Sequence, residues 1–350
     1  MYEVTLIANL GDNKNLLDEI SHYALIKDIP INREISLLAD IKALFLLLNF
    51  FWRHEFSLVH SVSPKAGLLS MIASSIARVP NRIHTFTGQV WVTKNGFIKY
   101  LLCYSDKLIN LLSTQIIVDS KSQLKFLLKH EVVSKSKAIV FGQGSISGVD
   151  LKRFKFNEQV RIKMRSQFGV KDSDVLILFL GRLKKDKGIL ELIQAFSKIH
   201  TESPNLILWC VGPDEEKLTK IIENTKGVRV FSYTKKPEDF MSSADIFCIP
   251  SFREGFGTAV IEAAACGIPS IGTNIYGLND AIINGETGIL VKPKSHLALI
   301  KALRLLYEKE DLRNKMGKAA NERAKIHFSS EFFTDELLKF YKKLIMLSSK

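Results

Sequence analysis

The chain has 350 residues, of which 46% are apolar and 24% charged, and its formal net charge is +13. Such a composition is typical of a soluble globular protein, and a chain of this length usually divides into two domains. The basic excess is spread over both halves and suits an anionic ligand or an acidic membrane surface. No zinc finger, aromatic RNA-binding strand or basic zipper region is visible, so we expect no nucleic-acid partner.

The cysteines and the N-terminus indicate the compartment. Cys103, Cys210, Cys248 and Cys266 are scattered and form no C-x-x-C pair, which favours a reducing, cytoplasmic setting. No basic leader with a cleavage site is visible after Met1. The most apolar run, residues 43–52, is far shorter than the roughly 20 residues that a membrane-spanning helix needs. The sequence therefore predicts a cytoplasmic protein that does not cross a bilayer.

In the first half, short apolar runs alternate with helical patterns, which predicts repeated β-α units and a parallel sheet. The predicted strands are residues 4–8, 58–61, 82–85 and 115–119, and the predicted helices are 40–53, 66–78 and 96–112. Between residues 144 and 156 the pattern breaks into a segment rich in glycine and serine, which predicts a connection between domains.

The second half begins the alternation again. The predicted strands are residues 175–180, 206–211, 228–231, 246–249, 270–272 and 288–291, and the predicted helices are 189–200, 217–223, 258–266, 296–308, 311–326 and 331–346. We therefore expect an N-terminal domain at 1–155, a second α/β domain at 156–326 and a C-terminal helix at 327–350.

The strongest local motif follows the predicted strand 246–249. It reads Pro-Ser-Phe-Arg-Glu-Gly-Phe-Gly-Thr from Pro250 to Thr258, and Glu262 lies on the helix that follows. Strand, glycine loop and helix in this order place unpaired N–H groups at the carboxyl edge of a parallel sheet, where open α/β sheets bind ligands. Glu254 and Glu262 can both reach sugar hydroxyls from there. Alternatively, one is a solvated glutamate and the other is stabilised by the helix dipole.

A second motif follows the predicted strand 175–180. Gly181 begins a turn that carries Arg182 and Lys187 and ends at Gly188. An arginine can bind two phosphate oxygens and a lysine adds a point charge, although a lysine-rich loop is often only a solvated surface. If both loops face one edge of the sheet, the cations can bind a diphosphate and the carboxylates can bind sugar hydroxyls. Together they indicate a site for a nucleotide-sugar.

These segments resemble the donor-site signature of glycosyltransferase family 4. The resemblance covers Gly181-Arg182 with Lys187-Gly188, the Val-Gly-Pro at 211–213, the Glu-x7-Glu pair with its intervening glycines, and the Gly-Ile-Pro at 267–269. It continues through Gly-Leu-Asn-Asp at 277–280 and Asn-Gly-Glu-Thr-Gly at 284–288, so that it spans essentially the whole chain.

The resemblance implies a GT-B fold, with two Rossmann-like domains facing a central cleft, and retaining transfer without a metal or other cofactor. Arg182 and Lys187 would hold the donor diphosphate, Glu254 the transferred sugar and Glu262 the ribose. The remaining donor-site positions would be Gly181, Gly255, Phe256, Gly257, Thr258 and Ala259.

The first half resembles bacterial enzymes that build O-antigen, capsule or other polyprenyl-linked glycans. The matching segments are 60–67, which includes Lys65, and 82–91, which includes Thr87 and Gly88; these three residues would lie on the acceptor side. Many relatives carry a histidine where this chain has Thr87, and the nearest histidine here is His84. Two interpretations of His84 stay open: a catalytic residue, or a buried strand histidine.

Relatives usually have a strand, a loop and a helix before the segment that resembles residues 2–11. We therefore expect the N-terminal domain to lack its first β-α unit. A misassigned start, a truncation and a rebuilt domain are all compatible with this difference, and each would affect activity more than donor binding.

Residues 41–56 could lie on a bilayer as an amphipathic helix, but more often such a helix packs on the sheet. Lys94, Lys99 and Lys107 are candidate contacts with acidic lipid headgroups. We expect peripheral attachment at the cytoplasmic face of the inner membrane, because the expected acceptor is lipid-linked. The apolar stripe of helix 331–346 is typical of a helix that returns to the first domain.

The expected reaction is transfer of a hexose or N-acetylhexosamine from a nucleotide-sugar to a polyprenyl-diphosphate saccharide. A UDP-sugar is the favoured donor, and a GDP-sugar is the less favoured one. One alternative is a GT-B epimerase acting on a UDP-sugar, although the acidic and histidine cluster it needs is not visible. The other alternative is a non-catalytic protein that binds nucleotide-sugars.

Overall fold

The structure, a computed structural model, describes residues 2–11, 20–32 and 36–348. In these ranges the chain alternates strands and helices, and the paired strands run parallel to each other. Each helix of the described ranges is too short or too polar to reach across a membrane.

The N-terminal half contains two separate parallel sheets. One pairs β1 with β2, and the other has the order β3-β4-β5-β6. The strands are β1 (Thr5–Ala8), β2 (Leu25–Asp28), β3 (Leu58–Ser61), β4 (Asn81–Phe86), β5 (Gln115–Val118) and β6 (Ala138–Ile139). The helices are α1 (Leu37–Arg53), α2 (Pro64–Ile76), α3 (Gly96–Leu112) and α4 (Lys121–Lys129).

One apolar cluster joins the two N-terminal sheets. Leu47 and Phe51 of α1 pack in it with Leu69 of α2, and Ile7 of β1 and Val59 of β3 lie against the same cluster. This face of α1 therefore packs against the sheets, as one interpretation of residues 41–56 predicted, while Phe45 and Trp52 on its other side are 66% and 63% exposed.

The C-terminal half is built on a six-stranded parallel sheet of order β12-β11-β10-β7-β8-β9. Its strands are β7 (Val175–Leu180), β8 (Leu206–Val211), β9 (Val228–Phe231), β10 (Ile246–Ile249), β11 (Ser270–Thr273) and β12 (Gly288–Val291). Its helices are α5 (Glu158–Gln167), α6 (Ile189–His200), α7 (Thr219–Glu223), α8 (Pro237–Ser243), α9 (Thr258–Ala265), α10 (Leu278–Ala281), α11 (His296–Glu308) and α12 (Glu310–His327). Separate apolar clusters cover its two faces, as a sheet with helices on both sides requires.

The last helix, α13 (Ser330–Ser348), packs on the N-terminal half. Tyr341 Oη lies 2.5 Å from His60 Nδ1, and Asn81 Nδ2 donates to Ser348 Oγ at 2.9 Å. Phe333 at its start is buried against Gly148, where a Cβ atom would come within 2.7 Å of the phenyl ring. The helix therefore ties the end of the chain to the sheet that contains β3 and β4.

Two residues of α4, Ser122 and Phe126, contact the C-terminal half near the carboxyl ends of the strands. Ser122, at the start of α4, donates through its backbone N–H to Asp280 Oδ2 at 2.9 Å, which places a carboxylate at the positive end of that helix. Tyr276 stacks on Phe126 of α4 at 4.6 Å between ring centroids.

The structure contains elements that the sequence patterns did not predict: β2, β6, α4, α5, α8 and α10. They are short or have largely exposed faces, so their apolar periodicity is weak. For α4 a local signal existed, because Ser120 Oγ accepts from Gln123 N at 3.1 Å in the spacing of a capping box.

Candidate functional site

The strand order of the C-terminal sheet places β7 beside β10, although two strands separate them along the chain. From β7 the chain continues outward through β8 and β9, and from β10 it continues in the opposite direction through β11 and β12. Their carboxyl ends therefore border the switch point of the sheet, where a crevice opens in folds of this kind. The two predicted motifs follow these two strands.

Lys187 and Glu254 meet at this crevice. Lys187 Nζ lies 2.6 Å from Glu254 Oε1, and Ser251 Oγ donates to the same oxygen at 2.7 Å. The two side chains are only 15% and 13% exposed, so water screens this ion pair less than a surface pair. The structure thus brings together a cation predicted for phosphate and a carboxylate predicted for sugar.

The close fit of the two loops depends on Gly188. Its φ is 70°, and a Cβ atom there would lie 2.0 Å from the carbonyl oxygen of Pro250. Phe252 N donates to the carbonyl oxygen of Asp186 at 2.9 Å, which joins the loops directly. A side chain at residue 188 would therefore push the loop that carries Lys187 away from Glu254.

Arg182 begins the same loop and is paired with an acidic residue that the sequence analysis did not single out. Its NH1 donates to Glu215 Oε2 at 2.9 Å, and Lys184 Nζ lies 3.7 Å from the same oxygen. Arg182 and Glu215 are about one quarter exposed, at 27% and 26%. Gly181 packs against Gly212, where a Cβ atom would lie 2.0 Å from the Gly181 oxygen.

Gly257, with a φ of 93°, is the N-cap of α9, and Thr258 and Ala259 lie in the first turn of the helix. The first N–H groups of a helix have no intrahelical acceptor, so this turn offers donors to an anion at the crevice. The side chain of Phe256 is fully buried and packs edge-on against Phe328 at 5.3 Å. Of the predicted donor-site residues, Phe256 can therefore present only its backbone.

Glu262 lies one turn further along α9 and is half-buried. Burial raises its pKa to about 7, while the nearby Arg153 acts in the opposite direction and Glu238 adds to the increase. Arg153 pairs with Glu238 at 2.9 Å. Arg153 and Glu238 are thus charged neighbours of Glu262, whereas Lys187 pairs with Glu254.

Across from these loops, the N-terminal half contributes the backbone of Thr87 and Gly88. A Cβ atom on Gly255 would lie 2.4 Å from the Thr87 oxygen, and one on Gly88 would lie 3.0 Å from Gly255 N. The φ of Gly88 is 113°, which only glycine adopts readily. The predicted acceptor-side pair therefore lies directly against the loop that carries Glu254.

Asp119 is a site candidate that the sequence analysis missed. It follows β5 at the carboxyl edge, and its Oδ2 would lie 2.6 Å from a Cβ atom on Gly255. Its Oδ1 is buried and has no hydrogen-bond partner among the described residues. Burial, and then the charge of Glu254, raise the pKa of Asp119 to about 7. The rule that located Glu254, a polar residue after a buried strand, applies equally to Asp119.

The other two predicted residues of the N-terminal half lie apart from this junction. Lys65 Nζ pairs with Asp40 Oδ1 of α1 at 2.5 Å. His84 is 1% exposed, its Nδ1 lies 2.8 Å from Ser61 Oγ, and burial lowers its pKa to about 3. Its ring also fills the space beside Gly67, where a Cβ atom would lie 2.4 Å away. For His84 this geometry favours the buried alternative over a catalytic role.

Comparison with known proteins shows which family the chain belongs to. Residues 160–323 match the family described as Glycosyl transferases group 1, a range that includes Arg182, Lys187, Glu254 and Glu262. Over 348 residues the chain is 31% identical to the capsular polysaccharide biosynthesis glycosyltransferase CapM of Staphylococcus aureus, with 97% of this chain and 89% of that protein covered.

Two further matches extend the comparison. The chain is 26% identical, over 77% of its length and 71% of the relative, to an Escherichia coli enzyme named UDP-Gal:alpha-D-GlcNAc-diphosphoundecaprenol alpha-1,3-galactosyltransferase. Its fold superposes on the crystal structure of Anabaena Alr3699/HepE in complex with UDP and glucose with a TM-score of 0.80 at 17% identity, covering 97% of this chain and 91% of that one.

The superposition confirms the predicted GT-B fold, with Rossmann-like halves built on parallel sheets. The match to a full-length relative confirms the predicted enzyme class. The chain is a glycosyltransferase and belongs to the group 1 glycosyl transferase family.

Proposed function

We propose that this glycosyltransferase transfers a hexose or N-acetylhexosamine from a UDP-sugar to a polyprenyl-diphosphate-linked saccharide during synthesis of a bacterial surface polysaccharide. The observation that carries the proposal is the convergence of Lys187 and Glu254, 2.6 Å apart, from adjacent strands at the switch point of the C-terminal sheet. A cation and a carboxylate at one crevice suit a ligand that joins a diphosphate to a sugar.

The named relatives support the donor and the acceptor. The Escherichia coli relative takes UDP-galactose and a diphosphoundecaprenol-linked acceptor by its name, and a Campylobacter jejuni relative, 24% identical over 88% of this chain, is named for a diphospho-undecaprenol acceptor too. CapM of Staphylococcus aureus is named for capsular polysaccharide biosynthesis. The solved structure of similar fold holds UDP and glucose.

In this proposal, the reaction uses no metal and retains the configuration at the anomeric carbon. In the proposed step, the acceptor hydroxyl forms a bond to this carbon on the face from which the nucleoside diphosphate leaves. A phosphate oxygen of the donor takes the hydroxyl proton. Arg182, Lys187 and the first N–H groups of α9 stabilise the negative charge that develops on the departing diphosphate.

The remaining residues have supporting roles in this proposal. Glu254 holds hydroxyls of the transferred sugar, and Glu262 holds the ribose. With a pKa raised to about 7 by burial, Glu262 is neutral in a fraction of the molecules at neutral pH and can then donate as well as accept a hydrogen bond. The acceptor binds beside the Thr87–Gly88 backbone, a position supported by the close approach of this backbone to Gly255.

A lipid-linked acceptor also places the enzyme at the cytoplasmic face of the inner membrane. There it meets both the water-soluble donor and the membrane-embedded acceptor. The net charge of +13 supports peripheral attachment to an acidic membrane surface.

The test combines calorimetry with UDP and GDP with radiolabelled transfer from a panel of nucleotide-sugars to bacterial membrane extracts. We expect tighter binding of UDP than of GDP and label that appears in the lipid fraction. Glu262→Ala should weaken UDP binding by about 1–3 kcal/mol, because ribose hydroxyls lose their partner. Exposed Glu158→Ala on α5 is the matched control.

Two results would redirect the proposal. Tight UDP binding without transfer from any sugar donor would favour the non-catalytic alternative, and conversion of a UDP-sugar without acceptor would favour the epimerase. Unchanged UDP affinity in Glu262→Ala would show that Glu262 does not bind the ribose.

A further inference from the structure

Helix α3 is apolar on two opposite faces. Its inner face, which includes Leu102, Cys103, Ile109 and Leu112, packs on the core of the N-terminal half. Its outer face carries Phe97, Leu101, Tyr104, Leu108 and Leu111, which recur at intervals of four, three, four and three residues and are 38–79% exposed. Ile98 and Tyr100 are exposed beside this stripe. Large apolar side chains that recur in this way on an exposed helix face indicate an interaction surface.

Between residues 94 and 112, the charged side chains that are not buried are all lysines. Lys94 and Lys99 are exposed at the start of α3, and Lys107 Nζ lies 5.9 Å from the centroid of the Tyr104 ring. The single acidic residue between 94 and 112 is Asp106, which is buried and accepts a hydrogen bond from Trp91 Nε1 at 2.8 Å. The surface therefore combines aromatic and aliphatic side chains with cations and exposes no carboxylate.

We propose that this outer face of α3 is the surface by which the enzyme docks on an anionic lipid bilayer, with Phe97, Tyr104 and Leu111 entering the interfacial layer and the lysines binding headgroup phosphates. A helix that lies in the membrane interface has this chemistry: aromatic and leucine side chains on one face and lysines at its border. A second copy of the chain fits less well, because a self-complementary contact would bring lysine against lysine in a protein of net charge +13.

The position of α3 also suits an acceptor that stays in the membrane. The helix follows β4 by way of Gly88, whose backbone lies against Gly255, and a 3-10 turn at Val90–Thr93. A bilayer against α3 would therefore lie close to the junction at which Glu254 is held. This inference rests on the proposed function for the identity of the acceptor, although docking itself can be measured without any substrate.

The test is flotation of the full chain with vesicles of phosphatidylcholine alone and of phosphatidylcholine mixed equally with phosphatidylglycerol. We expect binding to the anionic vesicles that decreases with salt. The variant Phe97→Ser with Tyr104→Ser should reduce the bound fraction about tenfold or more, because two aromatic anchors are lost. A second variant, Lys94→Glu with Lys99→Glu, should bind anionic vesicles no better than neutral ones.

The matched control is Tyr233→Ser with Ile326→Ser, which removes two side chains of similar exposure, 70% and 73%, from the C-terminal half. It should float like the wild type. Calorimetry with UDP on every variant reports the proposed function separately, because α3 lies outside the donor site. Vesicle binding that persists in both α3 variants overturns the proposal, as does a dimer of the wild type that becomes monomeric in Phe97→Ser with Tyr104→Ser.

Transfer assays give a further discriminating readout. The Phe97→Ser, Tyr104→Ser variant should lose transfer to an acceptor embedded in vesicles and keep transfer to a short-chain, water-soluble acceptor analogue. Equal loss with both acceptors would show that the substitutions act on the reaction and not on docking, which would overturn the proposal. Absence of transfer by the wild type, with vesicle docking intact, would reject the proposed function and leave the docking surface standing.

Discussion

Lys187 and Glu254 form an ion pair 2.6 Å long between two loops that lie sixty-seven residues apart in the chain. Each side chain is mostly buried, and Ser251 Oγ shares the carboxylate oxygen with the lysine. The pair fixes the separation between the cation and the carboxylate before any ligand arrives. Preorganised charges of this kind cost little reorganisation during a reaction.

Lys187→Met should weaken UDP binding about tenfold to a hundredfold, the range expected for loss of a charge-assisted hydrogen bond. It also leaves the Glu254 carboxylate without its cation, so the turnover number should fall further than the affinity. Calorimetry with UDP and initial rates of sugar transfer measure the two effects. Lys163→Met, at an exposed position of α5, controls for loss of one positive charge. If Lys187→Met binds UDP as tightly as the wild type, Lys187 does not bind the diphosphate.

Gly255→Ala tests the junction between the halves. An added Cβ atom would lie 2.4 Å from the Thr87 oxygen and 2.6 Å from Asp119 Oδ2, so the loop must move away from the N-terminal half. Because a displacement of about 1 Å can cost a hundredfold in rate, we expect a loss of transfer of this order with UDP binding largely retained.

The control for this variant is Gly169→Ala. Gly169 has a φ of 69° and open space where its Cβ would lie, so its substitution should cost about 1 kcal/mol of stability and leave transfer unchanged. Thermal unfolding of both variants measures the loss of stability caused by backbone strain. Their transfer rates measure the effect of displacing the loop that contains Gly255. Full activity in Gly255→Ala would mean that the two halves need not approach this closely during transfer.

The sequence predicted the β7 and β10 loops well, because both follow fully apolar strands whose burial is unambiguous. The meeting of Lys187 with Glu254 follows from that reasoning together with the general position of the switch point. The sequence did not indicate the partner of Arg182. Glu215 lies in a loop after β8 and reaches Arg182 only because β8 is the neighbour of β7.

The N-terminal half was harder to predict for a physical reason. Its strands β2 and β6 are short, and β2 is mostly exposed, so neither gives a clear apolar run. The sequence also left two roles open for His84, and burial against Ser61 and Gly67 distinguishes them only in three dimensions.

Glu215→Gln should tighten UDP binding. In the structure, Arg182 NH1 is held by both carboxylate oxygens of Glu215, at 2.9 and 3.2 Å, and a diphosphate that binds Arg182 must compete with them. The pair is about one quarter exposed, so its removal should change the affinity by only about two- to fivefold.

Calorimetry at two salt concentrations measures this gain, which should shrink at high salt because partly exposed pairs are screened. Glu216→Gln is the neighbouring control. Glu216 accepts from the backbone of Lys185 at 3.1 Å and makes no contact with Arg182 in the described part of the chain. Weaker UDP binding in Glu215→Gln would mean that Glu215 orients Arg182 for the phosphates and does not compete with them.

Asp119→Asn should stabilise the fold in a pH-dependent way. Burial and the charge of Glu254 raise the pKa of Asp119 from 3.8 to about 7, so the folded state binds this proton more tightly than the unfolded state. The contribution of Asp119 to the free energy of unfolding is therefore fully present below about pH 4 and is lost as the pH rises to about 7. Asparagine carries no charge at any pH. The difference between variant and wild type should thus be small at pH 4 and reach on the order of 1–3 kcal/mol in favour of the variant above pH 7.

Urea unfolding of both proteins across this pH range measures the difference, with exposed Asp172→Asn as the control for removal of a carboxylate. Groups that do not interact with Asp119 cancel when the variant is compared with the wild type at each pH, so the measured difference reports Asp119 together with its coupling to Glu254. If Asp119→Asn is instead less stable at every pH, the carboxylate must be favoured in its charged form. Its position beside Gly255 would then reflect hydrogen bonding across the junction and not a buried acid held near Glu254.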